Sequence, residues 1–317
     1  MVLGLDIGGT HIRAGIVEGN YRLRNFVMRS SVDLFNSTNP IVALHDFILE
    51  YAGSYLGGRM PDAVSIGFPS TINKDRTTVL STPNLRHFNN LEVVGPLVER
   101  LGIPVFINRD VNLLLIHDIY EYRLEDGHIV IGCYIGTGLG NAISIGGEML
   151  AGRNGVAGEL GHIPVYGSDS LCGCGNKGCM ETMTSGWHLE ELNDMHYAGE
   201  AIADIFTNHS GDDVVRGYVE DLAIPIVTEI NILDPDYVVL GGGVLQMKDF
   251  PIEVLLQQVH RLARKPFPEK NLRITIASGK QESGVVGAGM YAFSRLWDDG
   301  LIRAGRQNTY DYLSKKR

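Results

Sequence analysis

Leu3 to Val17 reads LGLDIGGTHIRAGIV, and Ile131 to Ile145 reads IGCYIGTGLGNAISI. Set at an offset of 128 residues, Gly4 meets Gly132, Ile7-Gly8 meets Ile135-Gly136, and Ala14 meets Ala142. Each stretch is an apolar run, a glycine turn and a second apolar run, which is the pattern of a β-hairpin. Gly8 and Gly9 lack the Cβ atoms that would hold a phosphate away from the backbone. Successive N–H groups in such a turn, here Gly8-Gly9-Thr10, can cradle an anion. An ordinary hairpin turn would read the same way. The second copy, Gly136-Thr137-Gly138 with Gly140, raises the weight of the first and suggests a duplicated α/β domain.

The bulk properties narrow the classes. A chain of 317 residues is long enough for two domains. Lys and Arg number 27 against 37 Asp and Glu, a formal net charge of −10, which disfavours a nucleic-acid surface. No apolar run approaches a membrane span, and MVLGLDIGGTHIR lacks the basic lead of a signal peptide. Four cysteines, three of them clustered, suit a reducing cytoplasm.

That cluster lies in Gly155 to Thr182, GVAGELGHIPVYGSDSLCGCGNKGCMET. Cys172, Cys174 and Cys179 fall within eight residues, and His162 precedes the first by ten. Glycines turn the backbone tightly, and Cys3His is a closed, structural zinc set. Neighbours in C-x-C pair as a disulfide only with strain. Glu159 and Glu181 flank the set, so a metal there would fix two carboxylates relative to one another. Cys133, alone in an apolar run, reads as buried and inert.

Other positions carry two readings each. Asp110 follows the apolar run Ile103 to Ile107 and opens a helix with Val111, Leu114, Leu115 and Ile119 on one side. It is equally a helix N-cap and a side chain aimed into the crevice of an α/β sheet. Asn84, in the loop-rich stretch 69–90, reads from the residues alone as a turn asparagine before an apolar residue. Gly241-Gly242-Gly243 ends a strand and permits close backbone approach. Asn39-Pro40 reads as the N-cap and N1 of a helix. A helical pattern spans about Asp213 to Leu233, with Pro225 expected to kink or split it.

G-E-L-G-H followed by C-x-C-G-x-x-G-C-x-E resembles the signature of the ROK family of sugar kinases and sugar-responsive repressors. The resemblance covers almost the whole chain. It implies an actin-like ATPase (ribonuclease H-like) duplicated fold in which two hairpins from facing domains hold one ATP across a central cleft. The domains would be 1–118 with 295–317, and 119–294. His162 and the three cysteines would bind structural Zn²⁺, while Glu159, His162 and Glu181 touch sugar hydroxyls. Asn84 resembles the Asn of the family's sugar loop. The family pattern N-D-A-N falls on Arg109-Asp110-Val111-Asn112, making Asp110 the base and Asn112 a sugar contact, with Arg109 in place of the usual Asn. Gly241, Gly242 and Gly243 would lie against the adenosine, with the glycines of the final helix on the same nucleotide side. Asp6 would orient Mg²⁺ through water. Within the family, INKDRTTVLSTPNL, RDVN and GVAGELGHIP point to phosphorylation of D-allose at its C6 hydroxyl, with glucose and N-acetylmannosamine as alternatives. A homodimer is implied, with a hexose and ATP as the small-molecule partners. A repressor would need a helix-turn-helix before the first hairpin, which begins at residue 3. A catalytically silent sugar sensor is the reading from another class.

Overall fold

The computed structural model describes residues 1–36, 39–82 and 85–298. The chain divides into two compact units, one of Met1–His117, Ala151–Val156 and the residues from Lys280, the other of Asp118–Leu150 and Ala157–Gly279. The division differs from the boundaries expected from sequence. The return to the first unit comes at Lys280 rather than 295, and Ala151–Val156 belongs to the first unit as well. Residues 299–317 of the expected first domain lie outside the described residues.

The first unit holds strands β1 (Val2–Ile7), β2 (His11–Val17), β3 (Leu23–Ser30), β4 (Ala63–Phe68), β5 (Thr71–Ile72), β6 (Thr78–Ser81), β7 (Leu91–Glu92) and β8 (Val105–Arg109). Helices α1 (Ser31–Phe35), α2 (Pro40–Leu56), α3 (Val94–Leu101) and the start of α4 (Asp110–Glu121) lie between them. Its main sheet has the order β3-β2-β1-β4-β8. β1 is antiparallel to β2 and parallel to β4, and β4 is parallel to β8. The stretch expected to be loop-rich contains a small sheet of β5, β6 and β7. Asn39 does cap α2, its Oδ1 accepting the N–H groups of Ile41 and Val42, with Pro40 at N1.

The second unit repeats the arrangement. Strands β9 (Ile129–Ile135), β10 (Leu139–Ile145), β11 (Glu148–Met149), β12 (Tyr237–Gly241) and β13 (Ile274–Ile276) have the order β11-β10-β9-β12-β13. β9 is antiparallel to β10 and parallel to β12, and β12 is parallel to β13. β1 and β9 end at Ile7 and Ile135, while β2 and β10 begin at His11 and Leu139, so the offset of 128 holds strand for strand. Helices α5 (Glu181–Thr184), α6 (Gly186–His196), α7 (Ile205–His209), α8 (Asp213–Leu233) and α9 (Ile252–Leu262) complete this unit. Pro225 does not split α8. One face of α8, including Val215, Tyr218, Val219, Leu222, Ile226 and Ile230, is buried in the unit's core. Tertiary packing of that face outweighs the one hydrogen bond that the proline removes.

The final helix, α10 (Ser283–Asp298), explains why the first unit reclaims the end of the chain. β1 is apolar along nearly its whole length because both of its faces are covered. Leu3, Leu5 and Ile7 pack into the main core, while Val2 packs with Val285, Ala292 and Phe293 of α10. The approach is close. A Cβ on Gly4 would lie 2.3 Å from the Val285 carbonyl oxygen, and one on Gly289 would lie 2.4 Å from Val17 Cβ. A Cβ on Gly287 would lie 2.0 Å from the Leu113 carbonyl oxygen of α4. The small residues of α10 thus allow the close packing expected of them, here of helix on strand and helix on helix. Gly287→Ala is expected to cost at least the ~1–3 kcal/mol typical of overpacking, because backbone cannot move aside as a side chain does. Thermal unfolding reads this directly, and an unchanged Tm would contradict it. Among the described residues no helix is long and apolar enough to cross a membrane.

Candidate active site

In the first unit, the chemistry gathers at the carboxyl ends of β1 and β8. Asp6 is the penultimate residue of β1, just before the Gly8 turn, and Asp110 is the first residue of α4 after β8. Gly67, near the end of β4, packs between them. A Cβ there would press on Leu113 Cδ1 at 2.9 Å and would lie in ordinary contact, at 3.6 Å, with both Asp6 Oδ1 and Asp110 Cα. On the other side, a Cβ on Gly284 would lie 2.8 Å from Asp6 Cγ. Two carboxylates in one partly dry pocket raise each other's proton affinity. Burial pushes the Asp110 carboxyl up to about 7, the charge of Asp6 adds to this, and the Val111 N–H and Arg109 oppose it. Burial likewise raises Asp6, with Arg13 opposing. A carboxyl poised near neutrality at a strand end is suited to accept a proton.

The surroundings of Asp110 are ordered by side-chain amides. Asn108 Oδ1 accepts from the Arg109 N–H and from Asn112 Nδ2, each at 2.9 Å. Asn112, expected to touch sugar, is thus buried and donates its amide to Asn108. Val111 N–H donates to Asp110 Oδ1 at 2.8 Å, so Asp110 also serves the helix start. Arg109 is buried. Asn84 lies outside the described residues.

Across the first hairpin, Gly8 N–H donates to the His11 carbonyl at 2.8 Å and closes the turn that holds Gly9 and Thr10. Thr10 Oγ1 lies 3.0 Å from His11 Nδ1. Three participants in this unit escaped the sequence reading: Asn108, Gly67 and Gly284. Their only signal was position, at strand ends beside the two acids.

In the second unit, Gly136 N–H donates to the Gly138 carbonyl at 2.9 Å. The turn's carbonyls face the start of α6, where Gly186 N–H reaches Gly136 O at 2.7 Å and Trp187 N–H reaches Thr137 O at 3.1 Å. Gly140 lies beyond the turn, in β10, paired with Tyr134. The Gly241-Gly242-Gly243 turn is clamped against the end of β9. Gly242 has φ +97°, and a Cβ on it would lie 2.3 Å from the Ile135 carbonyl oxygen. Only glycine fits there.

The flanking acids are tied to these features. Glu181 Oε2 accepts the Leu139 N–H at 2.8 Å, and a Cβ on Gly138 would lie 2.4 Å from that oxygen. Glu181 therefore braces the second glycine turn. Glu159 Oε2 lies 3.6 Å from His162 Nε2, and His162 Nδ1 lies 3.6 Å from Cys172 Sγ. The two ring nitrogens of His162 thus face the acid and the thiols respectively.

His162, Cys172, Cys174 and Cys179 each offer a ligand atom, all within 4.8 Å of one another. Cys174 Sγ and Cys179 Sγ are 3.7 Å apart, and all four cysteines are free. A disulfide would need about 2.05 Å. Two sulfurs at about 2.3 Å from a tetrahedral zinc stand about 3.8 Å apart, so the donor set and its spacing fit that ion. The backbone N–H of Asn176 helps hold the Cys174 thiol below its usual range, which favours the thiolate a metal takes. The knot depends on Gly178 (φ +71°), where a Cβ would lie 2.3 Å from the Ser168 carbonyl oxygen. Cys133 stands apart, buried, its thiol donating to Glu229 at 3.4 Å and its pKa pushed well up by burial.

Comparison with known proteins agrees with this arrangement. The ROK family model matches residues 2–294. The N-acetyl-D-glucosamine kinase of Yersinia enterocolitica is 30% identical over 289 residues, covering 85% of this chain and 94% of that protein. The glucokinase of Thermotoga maritima is 25% identical over 264 residues, covering 77% of this chain and 82% of that protein. Among solved structures, a ROK family glucokinase from Streptomyces griseus, in complex with glucose and AMPPNP, superposes with a TM-score of 0.75. That pair is 26% identical and covers 92% of this chain and 99% of the other. With a match over nearly its full length and the two-unit α/β fold of those kinases, the chain belongs to the ROK family.

Proposed function

We propose that this protein is an ATP-dependent hexose kinase that transfers the γ-phosphoryl group of ATP to the C6 hydroxyl of D-allose. The observation that carries the kinase reading is the half-buried Asp110, its carboxyl pushed up to about 7 beside Asp6 at the foot of the first glycine hairpin. In the proposed reaction the C6 oxygen forms a bond to the γ-phosphorus as the bond to the leaving ADP oxygen breaks. The hydroxyl proton passes to the Asp110 carboxylate. Glu159, His162 and Glu181 bind sugar hydroxyls, and Glu181 also keeps the second glycine turn in shape. A sugar with a missing or inverted hydroxyl leaves such a partner unpaired, at a cost of about 1–3 kcal/mol per group. Bound Mg²⁺ supplies countercharge on the phosphates, and Asp6 is the carboxylate of this chain placed to hold it through water. The cysteines and His162 take structural zinc.

The choice of D-allose rests on INKDRTTVLSTPNL, RDVN and GVAGELGHIP. Relatives named as N-acetyl-D-glucosamine kinase and glucokinase supply the competing substrates. A panel of D-allose, D-glucose, N-acetyl-D-glucosamine and N-acetyl-D-mannosamine, scored by kcat/KM with ATP, is expected to rank D-allose first. Another sugar in first place would overturn the allose reading and leave the kinase standing. Binding without turnover of any sugar would overturn the kinase in favour of a sensor. The assembly proposed with this reading is a homodimer, which sedimentation tests.

A further inference from the structure

Arg13 has no part in the chemistry so far. It lies on β2 directly opposite Asp6 in the β1–β2 register. Its guanidinium has two partners. Nη1 stands 3.5 Å from Asp6 Oδ2, and Nε donates to Gln281 Oε1 at 2.8 Å. A Cβ on Gly8 would lie 3.9 Å from Nη1, so the fork rests over the first glycine turn. The side chains of Arg13 and Asp6 retain 21% and 19% of their exposure, which leaves both within reach of a ligand at the turn.

Each contact bears on what the fork is for. A charge-assisted hydrogen bond to a carboxylate is normally about 2.7–2.9 Å, so the 3.5 Å approach to Asp6 is a loose ion pair. The tight partner is Gln281, an uncharged amide, which fixes the orientation of the guanidinium and leaves its charge intact. A planar, permanently charged fork is the side chain best matched to a phosphate's paired oxygens. Gly8 N–H is already donated to the His11 carbonyl, so the fork is the charged donor beside the turn, and Gly8 puts no Cβ next to it. His11, the neighbouring basic side chain, is instead engaged with the Thr10 hydroxyl.

We propose that Arg13 is a further catalytic residue, whose guanidinium binds the terminal phosphate of the nucleotide at the first glycine turn, and that Gln281 is the residue that positions it. The proposal rests on the kinase reading. It adds a protein-borne charge on the transferred group, where phosphoryl transfer relies on positioning and countercharge. The competing role is purely structural, with Arg13 balancing the half-buried Asp6 and touching no ligand.

The two roles separate in nucleotide binding measured without sugar. Calorimetric titration with AMPPNP and with ADP, both with Mg²⁺, compares the wild type with Arg13→Gln and Arg13→Lys. Arg13→Gln is expected to weaken AMPPNP by roughly 10- to 100-fold, as befits a lost hydrogen bond to a charged group, and ADP by much less. Arg13→Lys is expected to recover part of the loss. Equal weakening of both nucleotides, or of neither, overturns the proposal. Should Arg13→Gln fail to fold, Gln281→Leu carries the same comparison, with a smaller preferential loss for AMPPNP expected. A wild-type protein that binds neither nucleotide overturns the kinase reading and this proposal together, whereas a wild type that binds both, with no differential in the variants, overturns only Arg13's role.

Discussion

Asp110→Asn is expected to lower kcat by roughly 10²- to 10⁴-fold, the usual worth of a positioned general base, with sugar affinity by calorimetry changed only a few-fold. The amide keeps the shape of the carboxylate and cannot accept the proton. Near-normal turnover would remove Asp110 from the mechanism. The wild-type pH profile supplies a second check. Because Asp110 is pushed up to about 7, kcat/KM is expected to climb with pH through the acid range and level off above neutrality. Stability runs the other way. The folded carboxyl holds its proton up to about 7, while the unfolded one releases it near 3.8, the ordinary value for an aspartate. Across that window the native state binds more protons, so this group's contribution falls as pH rises. In Asp110→Asn the dependence disappears, and the variant is expected to unfold at a higher temperature than wild type at about pH 8. A lower Tm there would show that burial is not what perturbs Asp110.

Cys174→Ser is the second large effect expected. Zinc content by elemental analysis should fall from one ion per chain to near none. A structural zinc contributes roughly 10–16 kcal/mol in small zinc-dependent peptides, so even a fraction of that is several kcal/mol here. At about 2–4 °C per kcal/mol, Tm should fall by roughly 10 °C or more. The damage should reach beyond the sugar side, since Cys179 is two residues from Glu181, which holds the Leu139 N–H of the second glycine turn. Nucleotide affinity is therefore expected to drop alongside metal content. Wild-type protein that purifies without zinc, and keeps its Tm in chelator, would dispose of the metal's scaffold role.

The parts of this molecule legible in the sequence are those with a short-range signature. The two hairpins announced themselves because strand, turn and strand are contiguous and the same spacing occurs twice. The Cys/His set was legible for the same reason, and Asp110 because a strand and a helix meet at it. What stayed hidden depends on which distant segments touch. Nothing local to Gly284 says that Asp6 needs its missing side chain, and nothing in VNLLL says that Gly67 and Gly287 will press on Leu113. Asn112 looked like a ligand contact, and its amide donates to Asn108, a bond across the junction of β8 and α4 that no local pattern announces. Pro225 carried a strong local signal, and the core beneath α8 overrode it.

The seating of α10 on β1 bears on how the protein is made. Synthesis usually completes an N-terminal domain before the next has emerged from the ribosome. Here the outer face of the strand that begins at Val2 stays bare until residues as late as Leu296 have been translated. The second unit, closing at Gly279, can finish first. The half of the molecule that is translated earliest is thus the last to mature, and in the interval its exposed strand is a natural client for a chaperone.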